Sequence, residues 1–169
     1  MDTVAGIYFR TEDYAPLWRR FMIDFIDGLA VGVVCAAITA ALWGYSSSEL
    51  FLGIWFTIFF CYFVILKRSK FGTIGYRVGG VKIVGMNGQT PSVGSLTLRL
   101  FFMLLGPMNY LVDVMWLSTD LHKQALRDKF AQTYVVRKEA QPIGQGKVAH
   151  RYCHILGYNF LFREVVRQG

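Results

Sequence analysis

Three charged residues lie on one helical face in the first apolar segment of the chain. Arg20, Asp24 and Asp27 are spaced at i, i+4 and i+7, so on a helix they form a stripe in which Arg20 can reach Asp24. A carboxylate inside a bilayer costs about 3 kcal/mol on insertion scales, so Asp27 is expected to be neutral, paired or in a wet cavity. Such a group can bind and release a proton or a cation.

Weaker candidates for an ion or proton site lie farther along the chain. Asp113 interrupts a later apolar segment, and we expect it to be a satisfied polar residue that faces the other arm of a helical hairpin. Arg99, at the start of that segment, is expected to anchor the membrane interface. Asp120, at the start of a polar helical stretch, completes this set.

Catalytic and metal-binding patterns are weak throughout. The three cysteines form no CxxC pair, and His150 and His154, at i and i+4, have no local carboxylate to complete a metal site. The serines at 46–48 have no nearby histidine to activate them. We therefore predict that the protein is not an enzyme and has no cofactor or metal.

The composition indicates an integral membrane protein. Of 169 residues, 54% are hydrophobic and only 17% are charged, which does not suit a soluble globule. The 16% of aromatic residues exclude a disordered chain. Basic residues of membrane proteins collect on the cytoplasmic side, against anionic lipid headgroups. The net charge of +7 therefore indicates the lipid bilayer as the partner and not nucleic acid.

Two long apolar segments predict transmembrane helices at 21–45 and 50–66, since each can span a hydrocarbon core of about 30 Å. Arginines precede the first segment and the basic run 67–70 follows the second, whereas the loop between them carries only Glu49. The positive-inside rule therefore places the N-terminus and the segment 67–99 in the cytoplasm.

The next two segments are a glycine-rich cytoplasmic loop at 67–95, with a short strand ending at Val84, and a broken apolar block at 96–118. Gly106 and Pro107 interrupt the block, and an arm of about ten residues covers only about half a membrane. We expect a short or re-entrant hairpin with both ends cytoplasmic. A single proline-kinked helix is the alternative.

A cytoplasmic helix and strand are expected at 120–137, with residues 133–136 pairing with residues 78–84. The tail, 139–169, carries apolar residues at helical spacing, which indicates an interfacial amphipathic helix or a docking helix for another protein. The predicted fold class is an all-α polytopic membrane protein with two helical hairpins, the second short or re-entrant, and a small cytoplasmic β element.

Four blocks in this order carry a resemblance to a known family. They are YAPLWRRFMIDFIDGL at 14–29, GTIGYRVGGVKIV at 72–84, NGQTPS at 87–92 followed by Arg99, and DLHKQALRDKFAQTYVV at 120–136. Together they closely resemble the RDD family of small bacterial membrane proteins, over about residues 14–138. The arginine and the two aspartates that give the family its name fall on Arg20, Asp27 and Asp128. Asp24 and Arg127 depart from the pattern, which usually has an apolar or small residue and a histidine there.

The resemblance implies a family domain over 1–138 and a multi-pass protein of the bacterial inner membrane, with the N-terminus and the C-terminus cytoplasmic. The family's function is poorly defined, with transport proposed and cation/proton exchange suggested for some members. Arg20, Asp27 and Asp128 are thus a possible ion or proton site. They also fit a structural ion pair or cap that holds the cytoplasmic element against the first helix. Asp128 is expected to cap backbone amides or to pair with Arg20 or Arg77.

Two functions follow from these alternatives. The first is a small-ligand or cation/proton transporter that uses the buried arginine and aspartates, with a pathway between protomers of a homo-oligomer. The second is a non-transporting scaffold or accessory subunit of a larger membrane complex, which recruits a protein partner through the cytoplasmic loop and the tail.

Overall fold

The computed structural model describes residues 5–44, 47–106, 111, 113, 116, 124–155 and 158–166. Its helices are α1 (Leu17–Ala41), α2 (Ser48–Phe60), α3 (Ile74–Val78), α4 (Val93–Leu104) and α5 (Leu126–Ala131). Its strands are β1 (Ala5–Tyr8), β2 (Val81–Gly85), β3 (Thr133–Arg137), β4 (Gly144–Ile155) and β5 (Tyr158–Val166). A 3-10 turn, Thr11–Asp13, precedes α1, and a π-helical segment, Cys61–Leu66, continues α2.

Two helical stretches are long and apolar enough to cross a membrane. They are Leu17–Ala41, with a mean hydropathy of 2.1, and Ser48–Leu66, with a mean hydropathy of 2.2. Only 28% and 11% of their most apolar windows are buried inside the protein, whereas the core helix of a soluble protein would be mostly buried. The side chain of Ser47 caps the second stretch by accepting a hydrogen bond from the amide of Leu50.

The exposed face of α1 is apolar along its length. Phe25, Leu29 and Val33 are each at least 60% exposed, and Trp18 and Trp43 lie exposed near the two ends. Tryptophan is enriched at both membrane interfaces, so this face suits a helix that meets lipid. The predicted helices at 21–45 and 50–66 thus correspond to α1, shifted towards the N-terminus, and to α2 with its π-helical segment.

The broken apolar block begins with α4, which ends at Leu104. Gly106 has a φ of +70°, a left-handed conformation that ends a helix and favours glycine. The sequence predicted an interruption at this residue. Residues 107–110, which include Pro107, lie outside the described residues, so the predicted apex is not tested.

The fold is not all-α, and that prediction was wrong. The described chain has five strands in two antiparallel sheets, one in the order β1-β4-β5 and one that pairs β2 with β3. The predicted pairing of β2 with β3 is confirmed, with Ile83 opposite Val135. The sheet that was missed is long-range, because Ala5 at the start of β1 lies opposite Lys147 in β4. Local periodicity carries no information about such a pairing.

The tail forms the β4–β5 hairpin and is not an amphipathic helix. Side chains alternate along β5: Phe162 and Glu164 are buried, whereas Leu161 and Arg163 are exposed. This is the two-residue period of a strand. The apolar residues at 155, 158, 162, 165 and 166 also match a helical spacing, which is why the sequence indicated a helix. The alternation of buried and exposed side chains shows that this part of the chain is a strand.

The two sheets share one hydrophobic core, and together we call them the sheet domain. Ile7 from β1, Val84 from β2, Tyr134 from β3 and Val165 from β5 all belong to this core. A second cluster joins α1 to the sheet domain, where Ile23 packs with Tyr76, Val81 and Val135. The helices α1 and α3 therefore pack directly against the sheet domain.

Candidate functional site

A buried group of charged side chains centres on Asp128 in α5. Asp128 is fully buried, and its two carboxylate oxygens form ion pairs with Arg20 of α1 and Arg99 of α4, which are 4% and 6% exposed. The carboxylate also accepts a hydrogen bond of 3.3 Å from the amide of Ala125, at the start of α5. One side chain thus joins three helices, and we call this group the arginine clamp (Arg20, Arg99 and Asp128).

The two arginines of the arginine clamp hold further segments. Arg20 donates its Nε–H to the carbonyl of Ala15 at 3.0 Å, which fixes the entry of the chain into α1. Arg99 donates to the Oγ1 of Thr133 at 2.8 Å, which ties α4 to the first residue of β3. The arginine clamp therefore fastens the helices to the sheet domain.

The charge state of Asp128 is fixed by its neighbours. Burial alone would raise the pKa of Asp128, but the guanidinium groups of Arg20, Arg99 and Arg127 hold that pKa well below its usual range. The carboxylate stays ionised at any ordinary pH. Asp128 is therefore suited to a permanent ion pair and not to taking up a proton.

A second ion-pair group surrounds Arg127, the neighbour of Asp128. Its guanidinium lies 2.6 Å from a carboxylate oxygen of Asp24 and 3.0 Å from a carboxylate oxygen of Asp113. Burial would lower the pKa of Arg127, but Asp24, Asp113 and Asp128 raise it above its ordinary value. Arg127 therefore links α5 to α1 and to the broken apolar block as a permanent cation.

Asp27 lies apart from both ion-pair groups and is also fully buried. It accepts three hydrogen bonds, from the hydroxyl of Tyr62 at 2.8 Å, the hydroxyl of Thr73 at 2.7 Å and the backbone amide of Gly75 at 2.6 Å. All three donors are uncharged. Tyr62 comes from the π-helical segment of α2, a distortion that is frequent at functional sites.

The approach of α3 to Asp27 requires glycine at position 75. A Cβ there would lie 2.8 Å from the Cγ of Asp27 and in contact with the carbonyl oxygen of Ile23. Because backbone cannot move aside as a flexible side chain can, only glycine lets α3 bring its amide to the carboxylate. Thr73 caps α3 and donates to Asp27 at the same time.

The structure brings together only part of the predicted site. Arg20 and Asp128 form the predicted ion pair, but Asp27 does not join them. Asp24 pairs with Arg127 and not with Arg20, because Arg20 is already held by Asp128. The predicted pairing of Asp128 with Arg77 does not occur, since Arg77 donates to the backbone of Phe71.

Two weaker candidates are placed by the structure and one is not. Arg99 was predicted to anchor the membrane interface, and that prediction was wrong because Arg99 is buried in the arginine clamp. Asp113 is buried, and its carboxylate lies beside the guanidinium of Arg127 in α5, so the contact that the structure shows is not with the other arm of the predicted hairpin. Asp120 lies outside the described residues.

The sequence did not predict the partners of Asp24 and Asp27. Arg127 was noted only as a departure from the family pattern, and Tyr62, Thr73 and Gly75 were not candidates. A usable signal was present for Arg127, because an acid inside an apolar helix, such as Asp24, must find a partner elsewhere in the chain. Among the residues that the structure describes, no three His, Cys, Asp or Glu side chains are grouped to hold a metal ion.

Comparison with known proteins agrees with the resemblance seen in the sequence. The model of the RDD family matches residues 14–132, a range that contains Arg20, Asp27 and Asp128 and ends before β4. The "Uncharacterized protein YxaI" of Bacillus subtilis (strain 168) is similar, with 28% identity over 151 residues, covering 75% of this chain and 99% of that protein. No solved structure matches the chain.

Proposed function

The chain belongs to the RDD family, a membrane-associated family, and from its buried charges we propose that it is a membrane-anchored scaffold that presents the sheet domain to a protein partner. The arginine clamp carries this proposal. Two of the three residues that name the family, Arg20 and Asp128, neutralise each other inside it. Their arrangement supports a structural lock between the helices and the sheet domain.

The strand pairing supports a topology for this scaffold. β2 precedes the broken apolar block and β3 follows it, yet the two strands are paired. β1 precedes α1 and pairs with β4 near the end of the chain. In the proposed topology all of these segments lie on one side of a membrane, with α1 and α2 forming one hairpin and the broken block returning to the side from which it left. The basic residues at 67–70 support the proposal that this side is the cytoplasm of the bacterial inner membrane.

The β4–β5 hairpin offers a surface for the partner. Tyr152 and Leu161 are opposite each other in the two strands, and they are 76% and 52% exposed. Tyrosine is enriched at protein interfaces and among the residues that contribute most of their binding energy. The next exposed pair on the same face, His150 and Arg163, is polar and surrounds this core on one side.

A matched pair of double variants tests the scaffold in native membranes. Tyr152→Ser with Leu161→Ser removes the apolar pair, and His150→Ser with Arg163→Ser changes the neighbouring polar pair. Native gel electrophoresis of membranes solubilised in mild detergent should show the wild type in a complex larger than its own homo-oligomer. We expect the first double variant to lose that complex and the second to keep it. A wild type that runs only as a monomer or homo-oligomer would overturn the scaffold proposal.

A second candidate function is cation or proton exchange at Asp27. The observation that favours it is the uncharged set of donors around this buried carboxylate, since an unpaired acid in a membrane segment is a functional candidate. A chain of this size encloses little space alone, so a pathway would form between protomers of a homo-oligomer.

Proteoliposomes with an internal pH dye test the exchange candidate. Gradients of Na⁺, K⁺ and Li⁺ are applied to the wild type, to Asp27→Asn and to Asp24→Asn, which makes the same chemical change one turn away on α1. Exchange at Asp27 predicts proton movement in the wild type and in Asp24→Asn, and none in Asp27→Asn. No proton movement in a correctly inserted wild type would reject this candidate and leave the scaffold.

A further inference from the structure

A cationic cavity lies between the end of α2, α3 and β2. Its volume is about 400 Å³, and the residues that line it include six cations and no carboxylate. The six cations are Lys67, Arg68, Lys70, Arg77, Lys82 and Lys138. They come from separate parts of the chain, so the fold assembles this charge and a single basic run does not account for it.

Three of these cations are held in place by neutral groups. Arg77 donates to the backbone carbonyl of Phe71 at 2.7 Å, and Lys82 donates to the backbone carbonyl of Ala140 at 2.8 Å. The Lys67 ammonium lies 4.5 Å from the centre of the Tyr76 ring, a cation–π contact. Each contact orients a cation without neutralising its charge.

The other three cations, Arg68, Lys70 and Lys138, are exposed and have no hydrogen-bond or ion-pair partner within the described ranges of the chain. Like charges gathered around one cavity repel one another, and an anion of more than one charge would remove that repulsion. Phosphate groups suit such a site, because ammonium and guanidinium groups both bind phosphate oxygens.

The surroundings of the cavity indicate where a phosphate would come from. Phe71 lines the cavity, and Ile74 and Val78 belong to α3, the helix that supplies Arg77 to it. These three apolar side chains are 71%, 49% and 69% exposed. They follow directly after the α2 stretch that is apolar enough to cross a membrane. Apolar side chains next to a cluster of cations match the boundary between acyl chains and headgroups.

We propose that this cationic cavity binds the phosphate-bearing headgroup of an anionic phospholipid. The phosphate lies among the cations, and the acyl chains run along the apolar side chains of α3. The proposal goes beyond the scaffold function and does not depend on it, because it concerns the attachment of the chain to lipid and not the partner surface on β4 and β5.

Native mass spectrometry of the full-length protein in neutral detergent tests the cavity directly. The protein is titrated with phosphatidylglycerol, with zwitterionic phosphatidylcholine and with pyrophosphate. Lys70→Gln with Lys138→Gln removes two exposed, unpaired cations of the cavity. Arg10→Gln with Lys147→Gln removes two exposed cations outside it and gives the same change in net charge.

We expect phosphatidylglycerol to bind the wild type at least about tenfold more tightly than phosphatidylcholine. The cavity variant should bind phosphatidylglycerol about thirtyfold more weakly, since each basic residue near anionic lipid contributes about fivefold. The control variant should stay close to the wild type. Equal binding of the two lipids, equal losses in the two variants, or binding of pyrophosphate without phosphatidylglycerol would overturn the proposal.

Discussion

Asp128 and Asp27 are both fully buried, but their neighbours differ in charge. Asp128 lies between two arginines, whereas Asp27 accepts hydrogen bonds from two hydroxyls and one backbone amide. The cations around Asp128 hold it in one charge state. The described neighbours of Asp27 carry no charge, so hydrogen bonds hold its carboxylate.

The two aspartates that give the family its name therefore have different surroundings and suit different roles. An ion pair that links three helices and a strand is suited to holding the fold together. The hydrogen bonds to Asp27 join α1 to the π-helical segment and to α3 through uncharged donors. The scaffold proposal depends on the first site, and the exchange candidate depends on the second.

The largest effect is expected from Asp128→Asn. The substitution leaves Arg20 and Arg99 buried without their anion, and breaking a buried ion pair in this way costs about 3–5 kcal/mol of folding free energy. Thermal unfolding in mild detergent, followed by tryptophan fluorescence, measures the loss. The same change at the other site, Asp27→Asn, leaves no buried cation unpaired and should cost about 1–3 kcal/mol.

These two variants decide whether the comparison holds. If Asp27→Asn destabilises the protein as much as Asp128→Asn does, the charge of the neighbours is not what distinguishes the sites. Both variants must first be shown to insert into membranes at the level of the wild type.

A smaller effect is expected from Gly75→Ala, which alters the Asp27 site and leaves the arginine clamp intact. The added methyl group meets backbone on α1, and overpacking of this kind costs about 1–3 kcal/mol. Gly32→Ala is the matched control, because it lies in α1 with nothing within 4 Å of its new Cβ. Alanine is the better helix former, so the control should stabilise the protein by about 0.5–1 kcal/mol. A destabilised control and an unaffected Gly75→Ala would contradict the observed packing of α3 on α1.

Acidification should weaken the arginine clamp. The pKa of Asp128 is lowered in the folded protein, because the guanidinium groups outweigh the effect of burial. The unfolded chain therefore binds the proton first as the pH falls below the ordinary aspartate value of about 3.9. The stabilisation is complete above that pH and is lost as the pH approaches the folded pKa, by at most about 1.4 kcal/mol per pH unit.

The melting temperature of the wild type and of Asp128→Asn, measured from neutral pH to about pH 3, isolates this contribution. The wild type should lose more stability than the variant over the acidic part of the range. Parallel curves would show that Asp128 is not the group responsible.

The sequence predicted the elements that depend on local patterns and missed those that depend on contacts between distant parts of the chain. The helices α1 and α2 were predictable because their apolar runs are continuous in sequence, and β2 and β3 because each is a short local pattern close to a turn or a helix end. The β1–β4 pairing joins residues at opposite ends of the chain, and no local pattern specifies it. The tail was predicted to be a helix because its apolar residues fit the spacing of a helix as well as the two-residue period of a strand.

The candidate site shows the same limit. The spacing of Arg20, Asp24 and Asp27 on one helix was correct, since all three lie on α1, but the spacing does not say which residues from other helices reach them. Asp24 and Arg20 are close enough in sequence to pair, yet each has a partner on α5. An ion pair between residues four apart on one helix is weak. A buried guanidinium from another helix forms a stronger, charge-assisted hydrogen bond to the carboxylate.

The smallest effect is expected from Tyr62→Phe, which removes one donor from Asp27 and leaves the bonds from Thr73 and Gly75. The hydroxyl also accepts a hydrogen bond of 3.1 Å from the amide of Ile74, so the variant loosens α3 as well. The bond from Ile74 is exposed, so water can replace it, and the net loss is the one bond to Asp27, about 1 kcal/mol. The melting temperature should therefore fall only slightly. Tyr152→Phe, which removes an exposed hydroxyl on β4, is the control and should leave it unchanged.

Tyr62→Phe also tests whether Asp27 changes its charge in function. If the exchange candidate is correct, this variant should shift the pH dependence of proton movement in proteoliposomes while the arginine clamp keeps the protein folded. If Asp27 is only a cap for α3, the variant should lower stability and change nothing else. A loss of stability as large as that of Asp128→Asn would mean that the neutral donors hold the fold as firmly as the arginines do, and the distinction between the two aspartates would fail.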